Sequence, residues 1–203
     1  MSSSAISTQD RKARPLGAVL AGGGGKRIGG HKANIGLGGR PLIDYPLAAL
    51  AEAGLEAVVV AKSPLQLPAL EVPVWIESPE PSHPLSGILA AIRRSARPVL
   101  ALGCDMPFVS AELLSWLATL PGRLVVATAG GRLQPLLACY DPALEPALAL
   151  ALARGGSLHR TLAGLHRRLV SEEEIAHFGP PRRLLFNVNT PDDLATAERM
   201  LTA

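Results

Sequence analysis

The chain has 203 residues, 48% of them hydrophobic and 18% charged, with a formal net charge of +3. That is enough apolar mass for the core of one globular domain and too little charge for a disordered chain. Aromatic residues are only 3%, too few for a base-stacking platform, and the arginine pairs at 93–94, 167–168 and 182–183 are dispersed, so nucleic-acid binding has little support and a small anionic substrate explains the charge as well.

Residues 1–15 are polar, with Ser2, Ser3, Ser4, Arg11, Lys12 and Arg14, and lack the apolar stretch of a signal peptide. They read as a loose tail before a single domain over residues 16–203. No apolar run approaches the roughly 20 residues of a membrane span. Cys104 and Cys139 show neither Cys-x-x-Cys nor zinc spacing; each ends a strand-like run and reads as a buried free thiol, which fits a reducing cytoplasm.

The first strand signal is Leu16–Ala21. It runs into Leu20-Ala-Gly-Gly-Gly-Gly-Lys-Arg-Ile-Gly-Gly-His-Lys32. Gly22 to Gly25 leave backbone N–H groups uncovered, and Lys26, Arg27 and Lys32 bring positive charge beside them, as a polyphosphate requires. The run is not a P-loop: Leu20 stands where the first glycine is needed and Arg27 where the magnesium-binding hydroxyl is needed. Nor is it a dinucleotide fingerprint, whose third glycine would fall on Arg27 or Ile28. A glycine run alone is most often a surface loop; the strand before it and the cations after it favour phosphate binding.

Further along, Leu47, Leu50 and Leu55 suggest a helix after Pro41, with Asp44 as N-cap and Pro46 in its first turn. Ala57–Ala61 and Val72–Glu77 read as strands, residues 78–85 as a stiff proline-rich loop, and Ser86–Ala96 as a helix. Pro98–Gly103 is all apolar, so it belongs in the sheet centre, buried on both faces. Ser110 is placed to cap a helix to Leu120. Leu124–Thr128 and Leu133–Tyr140 flank Gly130 and Gly131, a hairpin pattern. Asp141-Pro142 starts another helix. Leu184–Val188 reads as a last strand, and Thr190-Pro-Asp-Asp193 as the start of the final helix. The expected fold class is α/β: a mainly parallel, Rossmann-like sheet covered by helices on both faces, with an antiparallel addition in the second half.

In such sheets ligands bind beyond the carboxyl ends of the strands. Asp105, in Cys104-Asp-Met-Pro107, directly follows the central strand and is a natural magnesium ligand beside phosphates, although a turn-capping role explains it nearly as well alone. Asn187 and Asn189 would share one face of a strand and present two amides to a polar ligand. Capping of the next helix is already explained by Thr190, which favours function for the pair. His83 and His159 read as surface residues, His166 and His177 have no metal spacing, and Gln134-Pro135 suits strand-edge packing as well as a site.

Together these motifs resemble those of the molybdenum cofactor guanylyltransferases, whose loop reads Leu-Ala-Gly-Gly-x-Ser-x-Arg-Met-Gly-x-Asp-Lys. Leu20–Lys32 aligns with it without a gap. Cys104-Asp-Met-Pro107, Gln134-Pro-Leu136 and Asn187-Val-Asn-Thr-Pro-Asp-Asp-Leu194 are similar to later family motifs in the same order. The resemblance spans nearly the whole chain from Leu16. It implies transfer of GMP from GTP to the terminal phosphate of molybdopterin or its molybdenum-loaded form, with Mg2+ as cofactor. It implies backbone contacts to the nucleotide from Leu20, Ala21, Gly22 and Gly23, phosphate contacts from Lys32 with Arg27 assisting, and Mg2+ and triphosphate held by Asp105. Asn187 and Asn189 would face the pterin. Glu77 falls near a family acidic position, and Pro84-Leu-Ser-Gly87 resembles a loop at the site edge. Transient contact with other cofactor-biosynthesis proteins or with molybdoenzymes belongs to the same picture.

His31, Gly25 and Ile28 depart from the family's Asp, Ser and Met, and Ala61 stands where guanylyl enzymes often carry Asn. Two alternatives follow: a cytidylyltransferase of the same cofactor, disfavoured because that family prefers Leu-Ala-Ala-Gly, and a relative that binds nucleotide with little turnover.

Overall fold

The structure is a computed structural model, and it describes residues 14–22 and 30–202. The first strand, β1 (Leu16–Leu20), is buried throughout. A 3-10 turn at Lys32–Asn34 follows, then the short strands β2 (Gly36–Leu37) and β3 (Arg40–Pro41) and helix α1 (Asp44–Glu52). Asp44 opens that helix from inside: Ile43 holds the cap position and no side chain caps it, while Pro46 sits harmlessly in the first turn, where its missing N–H has no partner to lose. Strands β4 (Ala57–Ala61) and β5 (Val74–Ile76) come next, the latter shorter than its sequence pattern.

Helix α2 spans Pro84–Ser95, two residues earlier than expected, because His83 caps it by accepting from the Leu85 N–H at 3.1 Å and Pro84 occupies the first turn. The chain continues with β6 (Val99–Gly103), α3 (Ala111–Leu117), β7 (Leu124–Ala129), β8 (Arg132–Tyr140), α4 (Glu145–Ala153), α5 (Leu158–Ala163), β9 (Arg168–Val170), α6 (Glu172–Ile175), α7 (Pro181–Leu184) and α8 (Pro191–Thr202). Ser110 caps α3 as expected, accepting from Leu113 N–H at 3.2 Å. Asp141 likewise accepts from Ala143 N–H at 2.8 Å, at the turn leading into α4.

Among the described residues the main sheet has seven strands in the order β5-β4-β1-β6-β8-β7-β9. Every neighbouring pair is parallel except those made by β8, which runs antiparallel to both β6 and β7. The all-apolar β6 is fully buried between β1 and β8. Gly130 (φ 55°) and Gly131 (φ 72°) form the β7–β8 turn in the left-handed region that a two-residue hairpin needs. The β7–β8 register jumps from Val126↔Ala138 to Ala127↔Gln134. This bulge takes Pro135, which has no amide to donate, out of the ladder, and the Pro135 carbonyl accepts the Tyr140 hydroxyl at 2.8 Å. The displaced arm carries Gln134 and Leu136 toward the carboxyl edge of β6.

Alternate residues of the strands feed two cores. Val19, Val59, Leu100, Leu102 and Val125 pack under α1 and α3, and Ala18, Val58, Val60, Val99 and Ala101 pack under α2, α4 and α5. A third, smaller cluster of Leu37, Leu42, Phe108, Val188 and Ala197 fixes the β2–β3 hairpin against α8. It also corrects the last expected strand. Residues 184–188 hold the end of α7 and an extended segment outside any sheet, because Val188 is buried in this cluster and its N–H goes to the Asp105 carbonyl at 2.9 Å. Among the described residues no helix is long and apolar enough to cross a membrane.

Candidate functional site

A cleft of about 270 Å3 opens beyond the carboxyl ends of β4, β1 and β6 and is lined by Gly22, Lys32, Lys62, Glu77, Asp105 and Leu136, among others. On its β6 side, Lys32 Nζ donates to Asp105 Oδ2 at 2.8 Å and to Asn189 Oδ1 at 2.6 Å. Their side chains retain only 16% and 17% exposure, so the Lys32–Asp105 pair is screened less than a surface pair. Gly103 makes room for the carboxylate: a Cβ there would lie 2.4 Å from Asp105 Oδ1. Asp105 thus lies in the turn just after β6, held to the 188 segment by its own carbonyl.

Asn189 is aimed by the start of α8. The Asp193 carboxylate accepts from the N–H groups of Asn189 (3.0 Å) and Thr190 (2.9 Å), while Asp193 N–H donates back to Thr190 Oγ1 (3.1 Å). This is a reciprocal cap. Burial pushes the Asp193 carboxyl up, but those hydrogen bonds, with Lys32 nearby, outweigh it and hold the group below its ordinary value. The two asparagines therefore do not act as one strand face. Asn189 pairs with Lys32, whereas Asn187 donates to the Leu185 carbonyl at 2.9 Å and lines a neighbouring cavity.

The opposite wall is Glu77. It is only 7% exposed, and among the described residues its Oε2 has no hydrogen-bond partner. The carboxylate fills a gap between two glycines: a Cβ on Gly22 would lie 2.5 Å from Oε1, and one on Gly87 would lie 3.4 Å from Oε2. Burial raises the Glu77 carboxyl above its ordinary value, and the Lys62 ammonium partly opposes that. Glu77 N–H is tied to the Ala61 carbonyl at 2.9 Å, so the acid sits where β5 ends beside β4.

The second cavity, about 370 Å3, lies across Asp105 and is lined by Arg132, Gln134, His159 and Asn187, sharing Pro84, Asp105 and Leu136 with the first. The fold thus brings Leu20, Gly22, Lys32, Glu77 and Asp105 to one cleft and Asn187 to the adjoining one. Ala21 is different: its N–H is spent on the Val60 carbonyl at 2.9 Å and its methyl is buried in the α1 core. Gly23 and Arg27 lie outside the described residues. His83 was expected at the surface but lines the first cleft, and burial lowers its pKa. Lys62 belongs to no motif; its only sequence signal is its place just after the Ala57–Ala61 strand.

Among the described residues no cluster of three or more His, Cys, Asp or Glu could hold a metal ion by itself. Magnesium beside nucleotides does not need one: one carboxylate with phosphate oxygens and water is its ordinary setting, and Asp105 supplies that carboxylate at the cleft. Neither thiol is a ready nucleophile. Burial pushes the Cys104 thiol far up and the Cys139 thiol up to about 12.

Comparison with known proteins identifies the family and the fold. The model of the MobA-like NTP transferase domain matches residues 17–172. A molybdenum cofactor guanylyltransferase of Cereibacter sphaeroides is 36% identical over 93% of this chain and 97% of its own length. One from Rhizobium johnstonii is 32% identical over 95% of each. The crystal structure of molybdopterin-guanine dinucleotide biosynthesis protein A from Archaeoglobus fulgidus superposes with a TM-score of 0.81 at 28% identity, covering 92% of this chain and 98% of that one.

Proposed function

Since the chain belongs to the molybdenum cofactor guanylyltransferases, nucleotidyltransferases of molybdenum cofactor biosynthesis, we propose that it transfers GMP from GTP to the terminal phosphate of molybdopterin or its molybdenum-loaded form. An oxygen of that phosphate attacks the α-phosphorus of GTP. A new P–O bond forms, the bond to the β-phosphate oxygen breaks, and its electron pair leaves with pyrophosphate. The nucleophile is already ionised at neutral pH, so the reaction needs alignment and charge neutralisation more than a general base.

The observation that carries this reading is that two cavities meet at Asp105. GTP occupies the first, with Leu20 and Gly22 against the nucleotide and Lys32 on its phosphates. The loop residues Gly23 and Arg27 would complete that grip. The acceptor occupies the second, beside Asn187, with Asn189 steadying Lys32 between the two. Asp105 would hold Mg2+, which when bound neutralises triphosphate charge and polarises the phosphorus under attack. The guanine choice is supported by Glu77. Its carboxylate, whose Oε2 has no partner among the described residues, suits the N1–H and 2-amino donors of guanine, and an alanine at position 22, as in the cytidylyl pattern, would collide with it.

Two measurements test the reading. Calorimetry with magnesium should give tighter binding of GTP than of CTP; the reverse preference moves the chain to the cytidylyl reaction. Asp105→Asn should lower molybdopterin-dependent pyrophosphate release by about 100-fold or more, the usual cost of losing a charge-stabilising group. Full turnover in that variant would remove Asp105 from its metal role, and GTP binding without turnover in the native chain would mark a nucleotide-binding relative.

A further inference from the structure

Lys62 has no part in the phosphate chemistry just described, yet it lines the same cleft. It directly follows β4, next to the buried methyl of Ala61, which offers no polar atom. Its stem lies against Gly22: a Cβ built there would be 3.6 Å from Lys62 Cγ and 2.5 Å from Glu77 Oε1. Its ammonium donates to the Pro79 carbonyl, in the loop after β5. Among the described residues that uses one of its three donors. Lys62 and Glu77 therefore flank Gly22 from two adjacent strand ends, a cation and a carboxylate side by side.

Their place along the sheet says which part of a nucleotide they meet. The strand order β5-β4-β1-β6 separates the Glu77 end from the Asp105 end by three strand spacings, about 14 Å at 4.7–4.9 Å per strand. Phosphates drawn to Lys32 and Asp105 leave the base toward β4 and β5. A buried carboxylate also repels phosphate there. A base edge that offers one acceptor beside two donors is the chemical complement of an ammonium beside a carboxylate, and the guanine edge has that order: O6, then N1–H and the 2-amino group.

Resting on the guanylyl reading, we propose that Lys62 is a specificity-determining residue that donates to guanine O6 while the neighbouring Glu77 accepts from N1–H and the 2-amino group. Adenine presents an amino donor to the ammonium, and cytosine offers a single donor to the carboxylate, so both fit worse. The pair recognises base identity rather than phosphate number.

The test is calorimetry with magnesium of GTP, ITP (which lacks the 2-amino group) and 2-aminopurine riboside triphosphate (which lacks O6 and the N1 proton). Lys62→Met keeps the stem and removes the donor. It should weaken GTP and ITP alike by about tenfold, as expected for one charge-assisted hydrogen bond, and change the 2-aminopurine nucleotide less than twofold. Lys62→Arg, which retains donors, should keep most of the GTP affinity. Glu77→Gln should instead shrink the preference of GTP over ITP. Equal weakening of all three nucleotides by Lys62→Met would place Lys62 on ribose or phosphate and overturn the proposal, as would unchanged GTP binding. Native protein that prefers CTP would overturn the guanine reading itself, a result visible before any variant is made.

Discussion

The Glu77 carboxylate is 7% exposed, with one oxygen that has no partner among the described residues, and it weighs against the fold whenever it is ionised. Burial raises the Glu77 pKa above its ordinary value despite Lys62. Between the unfolded value, about 4.3 for a free glutamate, and the raised folded value, the folded chain binds more protons than the unfolded one. Native stability therefore falls as pH rises through that window, and below it the penalty is absent. Glu77→Gln, neutral at every pH, should raise the thermal midpoint at pH 7 by roughly 2–4 °C, about 1 kcal/mol for a chain of this size. The advantage should vanish on acidification, while GTP binding suffers. A midpoint below that of the native protein at pH 7 would mean that Lys62 more than compensates the buried charge. In the sequence this residue was visible only through a loosely spaced family position. What makes it a site is the gap between Gly22 and Gly87, which come from different elements, and no local pattern encodes that meeting. Lys32 and Asp105 were legible because each sits inside a motif at a strand end; their 2.8 Å pairing was not.

The elements most legible in sequence were those whose pattern is set locally. β6 is uniformly apolar and central, the β7–β8 hairpin is written in two glycines, and Ser110 and Asp141 cap where their hydroxyl and carboxylate stand. Residues 184–188 misled because their apolar residues serve a cluster beside the sheet rather than a ladder within it. The three-residue β9 gave no alternation to detect, and only its pairing with β7 makes it a strand. The end of α2 carries a consequence of its own. Ala96 is exposed and closes the helix at φ 51°, ψ 27°, donating to the Ile92 carbonyl at 2.9 Å. A Cβ in the left-handed region costs about 1–2 kcal/mol, part of which glycine returns as lost chain entropy. Ala96→Gly should therefore stabilise the protein by roughly 0.5–1 kcal/mol, read as a higher urea midpoint at unchanged slope. A lower midpoint would mean that the open end of this helix is restrained by something other than its backbone conformation.

At the scale of the whole chain, the two main cores are opposite faces of one sheet, fed by alternate residues of the same strands. Neither face can lose its strands while the other keeps them, so the domain should unfold in a single transition, with coincident fluorescence and circular dichroism curves. The proposed GTP cleft draws Gly22, Lys62, Glu77 and Asp105 from the ends of four adjacent strands and Lys32 from the turn at 32–34. A ligand held there binds only the assembled sheet. At 100 times its Kd, GTP with magnesium should add about 2.7 kcal/mol, which for a domain of this size moves the midpoint upward by roughly 5–10 °C. The entire transition should shift without splitting. Two resolved transitions, with GTP moving only one, would show that the β5–β6 half carrying the cleft and the β8–β7–β9 half fold as separate units. The shared β6–β8 ladder, which pairs Val99 to Leu102 with Tyr140 to Leu137, argues against that outcome, because it joins the cleft edge to the antiparallel half through a fully buried strand of the sheet.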